Sequence, residues 1–196
     1  MDFARDRSCE TDTEIGYPPN TSALGEEAGE LEAASVDRLE EALGRPPRIL
    51  IAEDHASTRT ATAILLSFEG FETRSVADGV DLIDALRPLA LREPIGWSPD
   101  LLMLDVGLRR LDGLYVLENL RQLHADIPTI VTTGFADRRT LERVAALDKV
   151  RYFQKPTTPD RLIRVSREMI GERADLQQPP PAGADAEDDS RQNSAA

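Results

Sequence analysis

Residues 99–113 read PDLLMLDVGLRRLDG, and this stretch decides the fold. Leu101, Leu102, Met103 and Leu104 form a short, nearly unbroken apolar run, the pattern of a strand buried on both faces of a parallel sheet, and the run stops abruptly at Asp105. Asp112-Gly113 is a turn signal ahead of Leu114, Val116, Leu117, Leu120 and Leu123, whose spacing predicts a helix. In an open α/β sheet, ligands bind beyond the carboxyl ends of the strands, so Asp105 is placed for chemistry rather than packing.

Working outward, Ile49, Leu50, Ile51 and Ala52 repeat the double-sided apolar pattern and end in Glu53-Asp54. Ala61, Ile64, Leu65 and Phe68 follow at helical spacing, closed by Gly70. Phe71 to Val76 reads as a weaker, edge-like strand. Asp78 caps a helix whose expected apolar face is Val80, Ile83 and Leu86, ending before Pro88. The connection from Leu89 to Ser98 is longer than the common two to six residues and reads as an insertion, with Trp97 as a lid over local apolar surface. On the other side, Ile127 to Thr133 is a core strand ending in hydroxyls before Gly134. Arg138 to Ala146 is a helix with Leu141, Val144 and Ala145 inward, and Val150 to Gln154 is a last short strand ending at Lys155-Pro156. Thr158 and Pro159 open a final helix carrying Leu162, Ile163, Val165 and Ile170, with Gly171 expected to end the order. Five strands alternating with five helices predict an α/β, doubly wound parallel sheet of five strands, flavodoxin-like with order 2-1-3-4-5.

Composition sets the frame. The 196 residues carry a formal charge of -13 and a pI near 4.6, which argues against a broad nucleic-acid footprint. No run approaches the roughly 18 apolar residues of a membrane span, and MDFARDRSCE lacks a signal-peptide core, so a cytoplasmic protein is expected. Cys9 alone supports neither a disulfide framework nor a zinc site. Residues 1–45 are acidic and poor in large apolar groups, an expected disordered extension. Within it, Val36, Leu39 and Leu43 make one helical stripe capped by Ser35 and stopped by Gly44, Pro46 and Pro47, read as a frayed acidic helix in preference to a docking or dimerisation helix. Residues 46–173 form the expected domain and residues 174–196 a disordered acidic tail.

The strand ends read Glu53 and Asp54, then Asp105, then Thr132 and Thr133, then Lys155. In the expected order the first and third strands are neighbours, which brings Asp54 and Asp105 to about 5 Å at backbone level. Carboxylates so close repel unless a cation joins them, and Mg²⁺ suits hard oxygen ligands and phosphate oxygens. A converging ammonium and hydroxyl would take up the other phosphoryl oxygens, so the implied step is attack of a carboxylate on phosphorus to give an aspartyl phosphate. Thr132 reads as a residue bonding within its strand, and His55 as a solvated helix-start residue, since the sequence places no second His or Cys near it.

These motifs in this order resemble the receiver domain of two-component response regulators: Glu53-Asp54, Asp105 with Asp112-Gly113 downstream, Thr133-Gly134, and Lys155-Pro156 with Tyr152 before it. The resemblance implies Asp105 as phosphoacceptor and Mg²⁺ held by Asp54, Asp105 and the carbonyl of Gly107, with Glu53 acting through water. It further implies Thr133 and Tyr152 as a switch pair, Lys155 on the phosphoryl group, and a cis Lys155-Pro156 peptide. The implied protein is a stand-alone phosphorelay regulator. It would take its phosphoryl group from a histidine kinase or histidine phosphotransfer protein and signal to a downstream protein through a changed surface, without acting as an enzyme beyond its own phosphorylation and dephosphorylation. Leu108 and Arg109 stand where the family commonly has Met and Pro, which predicts a less stiff loop and an added charge near the phosphate.

Two rival readings remain at this level. An aspartate-nucleophile hydrolase on the same fold needs an acid/base Asp two residues beyond the nucleophile, where this chain has Gly107. A receiver that serves only as an interaction module is disfavoured because every expected chemical group is present.

Overall fold

The computed structural model describes residues 35–177 except 94, 95, 124, 125 and 136; the extension up to residue 34 and the tail from 178 lie outside the described residues. Five strands, β1 (Arg48–Ala52), β2 (Glu72–Val76), β3 (Leu101–Asp105), β4 (Thr129–Thr133) and β5 (Val150–Gln154), pair in parallel in the order β2-β1-β3-β4-β5, the order expected from the sequence. Among the described residues six helices accompany them: α1 (Val36–Leu43), α2 (Ala56–Phe68), α3 (Gly79–Ala90), α4 (Gly113–Gln122), α5 (Arg138–Ala145) and α6 (Pro159–Gln177).

Strand pleating divides the core in two. Leu50, Ala52, Leu102, Leu104 and Val131 point to one face, where Leu82 and Leu86 of α3, Leu114 and Leu117 of α4 and Val144 of α5 cover them. Ile49, Ile51, Leu101, Met103, Ile130 and Phe153 point to the other, beneath Leu39 of α1, Leu66 of α2 and Leu162, Ile163 and Met169 of α6. Both faces of β3 and β4 are buried along their whole length, as the apolar run of β3 requires, and β4 buries three threonines with Ile130 and Val131.

Several local expectations are corrected. α1 is not frayed: Ser35 accepts from the Arg38 amide, Leu39 is 2 % exposed against α6, and Arg45, just past the helix, makes a bidentate pair with buried Asp100 at 2.7 and 2.8 Å. Residues 35–45 therefore belong to the folded body. α2 buries Leu66 and leaves Ile64 and Phe68 exposed, while α3 buries Leu82 and Leu86 and leaves Ile83 exposed. In both helices the outward stripe carries apolar residues as well, which makes the periodicity ambiguous. α3 runs through Pro88 to Ala90. In α5 Val144 is buried but Ala145 is exposed. α6 passes through Gly171 and continues to Gln177, because Gly171 lies against Leu39 and Ala174 is buried beyond it.

The insertion after α3 is held by Trp97, which packs on the α3–α4 core face. Its ring has the guanidinium groups of Arg74 at 4.6 Å and Arg48 at 5.9 Å.

Candidate functional site

Register alone assembles the acidic end of the sheet. Ala52 pairs with Leu104 and Asp105 with Thr132, so Glu53, one step past β1, stands beside Asp105 with Asp54 following it, and Thr132 flanks Asp105 on the other side. Lys155, one step past β5, donates its amide to the Thr133 carbonyl at 2.8 Å, and the peptide that follows, Lys155-Pro156, is cis, as the family resemblance implies. Its ammonium reaches back over the sheet end and donates to Glu53 Oε2 at 2.6 Å and Asp105 Oδ2 at 2.8 Å. Glu53 and Asp105 are nearly buried, at 5 % and 7 % exposed. Burial pulls the Lys155 ammonium down, but the bonds to Asp105 and Glu53 outweigh that and hold it above its ordinary value. It is cationic at neutral pH.

The other Asp105 oxygen, Oδ1, accepts from the Gly107 amide at 3.1 Å, fixing the carboxylate on two sides. Just behind it a Cβ on Gly113 would stand 2.7 Å from the Asp105 carbonyl oxygen, so α4 starts this close to β3 only because residue 113 is glycine. Asp112 caps α4 through Leu114 and Tyr115 and is itself gripped by Arg143 at 2.9 Å. The loop between them, where Leu108 and Arg109 replace the family's Met and Pro, is tied to the start of α3. The Gly79 amide donates to the Arg109 carbonyl at 3.1 Å, Arg110 pairs with Asp78 at 3.0 Å, and Arg110 adopts a left-handed φ of 65°. Hydrogen bonds to the start of α3 therefore supply the stiffness.

Asp54 contrasts with its neighbours. Its Oδ1 is buried without a hydrogen bond, although His55 Nδ1 lies 2.7 Å away, and Arg109 Nε stands 4.0 Å from Oδ2. An unsatisfied buried carboxylate oxygen facing two further carboxylates is the chemistry of a hard-cation site, and Glu53, Asp54, His55 and Asp105 offer ligand atoms all within 4.8 Å of one another. The residues fit Mg²⁺. Both Glu53 oxygens are already engaged, by Lys155 and by the His55 amide at 3.2 Å, which suits an indirect role. The backbone of the acidic pair is pinned from behind by Arg59, which donates to the Glu53 and Asp54 carbonyls at 2.7 and 3.3 Å.

The two expected switch residues lie on neighbouring strands, Thr133 at the end of β4 and Tyr152 within β5. Thr133 is buried, and its hydroxyl is turned into the following loop, donating to the Phe135 carbonyl at 2.8 Å and accepting from the Phe135 amide at 3.2 Å. Tyr152 packs against the α3–α4 core face, its hydroxyl buried without a partner. Burial pushes that phenol above its ordinary value. Thr132, read from sequence as a strand residue, does bond to the Leu104 carbonyl at 3.4 Å, but it also lines a cavity of about 330 Å³ with Glu53, Thr58, Thr62, Asp105 and Lys155.

Sequence reasoning gathers Glu53, Asp54, Asp105, Gly107, Thr133 and Lys155 correctly at one sheet end. It misses Arg59, Thr58 and Thr62, whose polar positions on a helix carry no distinguishing signal. His55, read from sequence as a solvated helix-start residue, is the N-cap residue of α2 and is 74 % exposed, with Nδ1 2.7 Å from Asp54 Oδ1.

Comparison with known proteins follows the same line. Residues 49–167 match the family described as response regulator receiver domain. Response regulator MprA from Mycobacterium sp. strain KMS is 34 % identical over 127 residues, covering 64 % of this chain and 51 % of that protein. Its counterpart from Mycobacterium avium is 34 % identical over 125 residues, covering 63 % and 50 %. The chain thus spans about half the length of the curated relatives it matches. Among solved structures, a CheY-like receiver domain protein from Methanospirillum hungatei is 25 % identical with a TM-score of 0.55, over 66 % of this chain and 98 % of that one. NtrX from Brucella abortus, in complex with ADP, is 28 % identical with a TM-score of 0.54, over 66 % of this chain and 28 % of that one.

Proposed function

Since the chain belongs to the response regulator receiver domain family, we propose that it accepts a phosphoryl group on Asp105 from a histidine kinase or histidine phosphotransfer protein and passes the signal to a downstream protein. The observation that carries this reading is the pairing of Lys155 with Asp105 at 2.8 Å beside an unsatisfied Asp54 oxygen. One cationic donor serves the acceptor carboxylate, and an open carboxylate stands where a metal would neutralise the incoming phosphate.

In the step itself an Asp105 oxygen attacks phosphorus, the bond from phosphorus to the donor nitrogen breaks, and the electron pair leaves with the imidazole. Mg²⁺, when bound by Asp54, Asp105 and the Gly107 carbonyl with Glu53 acting through water, supplies charge neutralisation for the transferring group. Lys155 remains on the phosphoryl oxygens as a fixed cation. Glu53 holds that ammonium in place, and the Gly107 amide keeps the acceptor carboxylate oriented. The loss of Thr133's bonds to Phe135 frees its hydroxyl to donate to a phosphoryl oxygen. That movement and the seating of Tyr152 are the two halves of the switch, biasing a pre-existing equilibrium by the phosphoryl group's preference for one state. Catalysis beyond self-phosphorylation and self-dephosphorylation is not part of this reading. A downstream surface built from α5, β5 and α6, with Arg138, Arg139 and Arg164, suits an acidic partner.

Amide NMR of the full chain with Mg²⁺ and beryllofluoride, a phosphoryl mimic, tests the reading. Shifts at Asp105 and Lys155 that spread through Thr133 to α5 and β5, and shrink in Thr133→Ala, are expected. A wild-type response confined to residues touching Asp105 would overturn the switch, and an absence of response in the presence of Mg²⁺ would overturn the acceptor site.

A further inference from the structure

α5 hangs on few attachments. Of its eight residues Val144 is the buried one, and its amino end follows the turn in which Thr133 bonds Phe135. Its Arg138–Glu142 pair lies within the helix and is largely exposed, so it travels with α5 and anchors nothing. Arg143 is different. Its guanidinium leaves the helix and donates from Nε and Nη2 to the two carboxylate oxygens of Glu118 on α4, at 2.7 and 3.0 Å, and from Nη1 to Asp112 Oδ2 at 2.9 Å. The side chain of Arg143 is 26 % exposed and that of Glu118 31 %, and the bonds, the one to Glu118 foremost, hold the guanidinium above its ordinary value against the pull of burial. Asp112 in turn caps α4, and α4 begins against the Asp105 carbonyl at Gly113. One guanidinium thus joins the helix beyond Thr133 to the helix that starts behind the phosphoacceptor.

We propose that Arg143 latches α5 in the resting arrangement, so that its fork on Glu118 and its contact with Asp112 set how readily the switch is thrown. The inference rests on the phosphoacceptor reading of the preceding subsection and deepens it by naming a regulatory contact. A fork of two parallel N–H···O bonds tolerates little displacement, and a shift of α5 by about 1 Å stretches at least one of them beyond hydrogen-bond range. On the phosphoacceptor reading the Thr133 hydroxyl gives up Phe135 for a phosphoryl oxygen, which removes the attachment at the amino end of α5. The latch is then what opposes movement of the helix. Tyr152 packs on the same core face as Val144 with its buried hydroxyl unpartnered, so this face rearranges without breaking a Tyr152 hydrogen bond. Weakening the latch therefore favours the moved arrangement, and the apparent affinity for a phosphoryl mimic rises with the fraction of chains already in it.

Beryllofluoride titrations of the full chain in saturating Mg²⁺, followed by amide NMR, test the latch in Glu118→Gln and Arg143→Lys. Glutamine keeps the volume but drops the charge, and lysine keeps the charge but loses the fork. Asp112 is left alone because it caps α4. Each variant should bind beryllofluoride about three- to tenfold more tightly than wild type, with the α5 amides of the unliganded variant displaced part-way toward their bound positions. In a Thr133→Ala background the same substitutions should change the affinity by less than about twofold. A contact that merely stabilises the fold would lower the urea midpoint and leave the affinity unchanged or weaker; that result in folded variants would overturn the latch and leave the acceptor reading intact. A gain that persists in Thr133→Ala would overturn it as well. Wild type that binds no beryllofluoride would overturn the acceptor reading and this inference with it.

Discussion

Replacing Lys155 with methionine isolates the force that holds the acidic sheet end together. The side chain of Lys155 is 28 % exposed, and those of Glu53 and Asp105, which it bridges, are only 7 % and 8 % exposed. Methionine fills a similar volume but leaves two buried carboxylates facing each other. Removing one partner of a buried ion pair costs about 3–5 kcal/mol, and the residual solvent access of Lys155 sets the expectation near the lower end, at about 3 kcal/mol. For a chain of this size that corresponds to a fall in Tm of about 6–12 °C. Urea titration and calorimetry of wild type and Lys155→Met, without divalent cations, measure it. Because the Lys155 ammonium is held above its ordinary value in the fold, its contribution is fully present below the unfolded-state value and is lost only as pH rises through the folded one. The deficit of the variant should therefore be flat through neutral pH and shrink on the alkaline side. Mg²⁺ at about 100 times its Kd should then return about 2.7 kcal/mol to the variant by binding the folded state alone. A variant within about 1 kcal/mol of wild type in metal-free buffer would refute the reasoning, since it would mean that the two carboxylates do not depend on this ammonium.

Other perturbations probe the supports around the site. Leu39→Ala should cost about 2–4 kcal/mol in urea unfolding, because Leu39 is 2 % exposed in the core beneath α1 and α6; a fragment that begins at Arg45 should lose a similar amount, whereas one that begins before Ser35 should not. Gly79→Ala should destabilise by at least about 2 kcal/mol and loosen the loop after β3, since the added Cβ would stand 2.3 Å from the Leu111 carbonyl oxygen; hydrogen exchange across residues 106–112 reads it. Tyr152→Phe should stabilise the metal-free fold by about 1 kcal/mol by removing a buried hydroxyl that has no partner. Burial raises that phenol, so wild-type stability should fall as pH climbs through the folded-state value while the phenylalanine variant is spared the loss, as alkaline denaturation curves would show.

What the chain discloses in advance depends on how local the physics is. The double-sided runs 49–52 and 101–104 determine a parallel sheet, because burial on both faces leaves no polar position. Residues at the ends of such strands converge by register alone, which is why Asp54, Asp105, Thr133 and Lys155 are legible without coordinates. Helix faces are less so. Ile64, Phe68 and Ile83 are apolar but exposed, and a stripe that competes with the true inward one defeats a reading by period. α1 looks too short to matter alone; it holds because Leu39 finds α6 and Arg45 finds Asp100, partners 55 or more residues away. Side-chain direction at the site is also invisible from sequence: Thr133 turned to Phe135, and His55 turned to Asp54, are consequences of loop geometry.

The central claim is that Asp105 is the group that takes the phosphoryl. Treating the full chain with acetyl phosphate and Mg²⁺, reducing the product with borohydride and mapping the reduced residue by peptide mass spectrometry measures this directly. The account predicts one phosphoryl group per chain, dependent on the divalent cation, with borohydride reduction confined to position 105 and no product in Asp105→Asn. A phosphoryl group that survives in Asp105→Asn, or reduction mapped to Glu53 or Asp54, would contradict it.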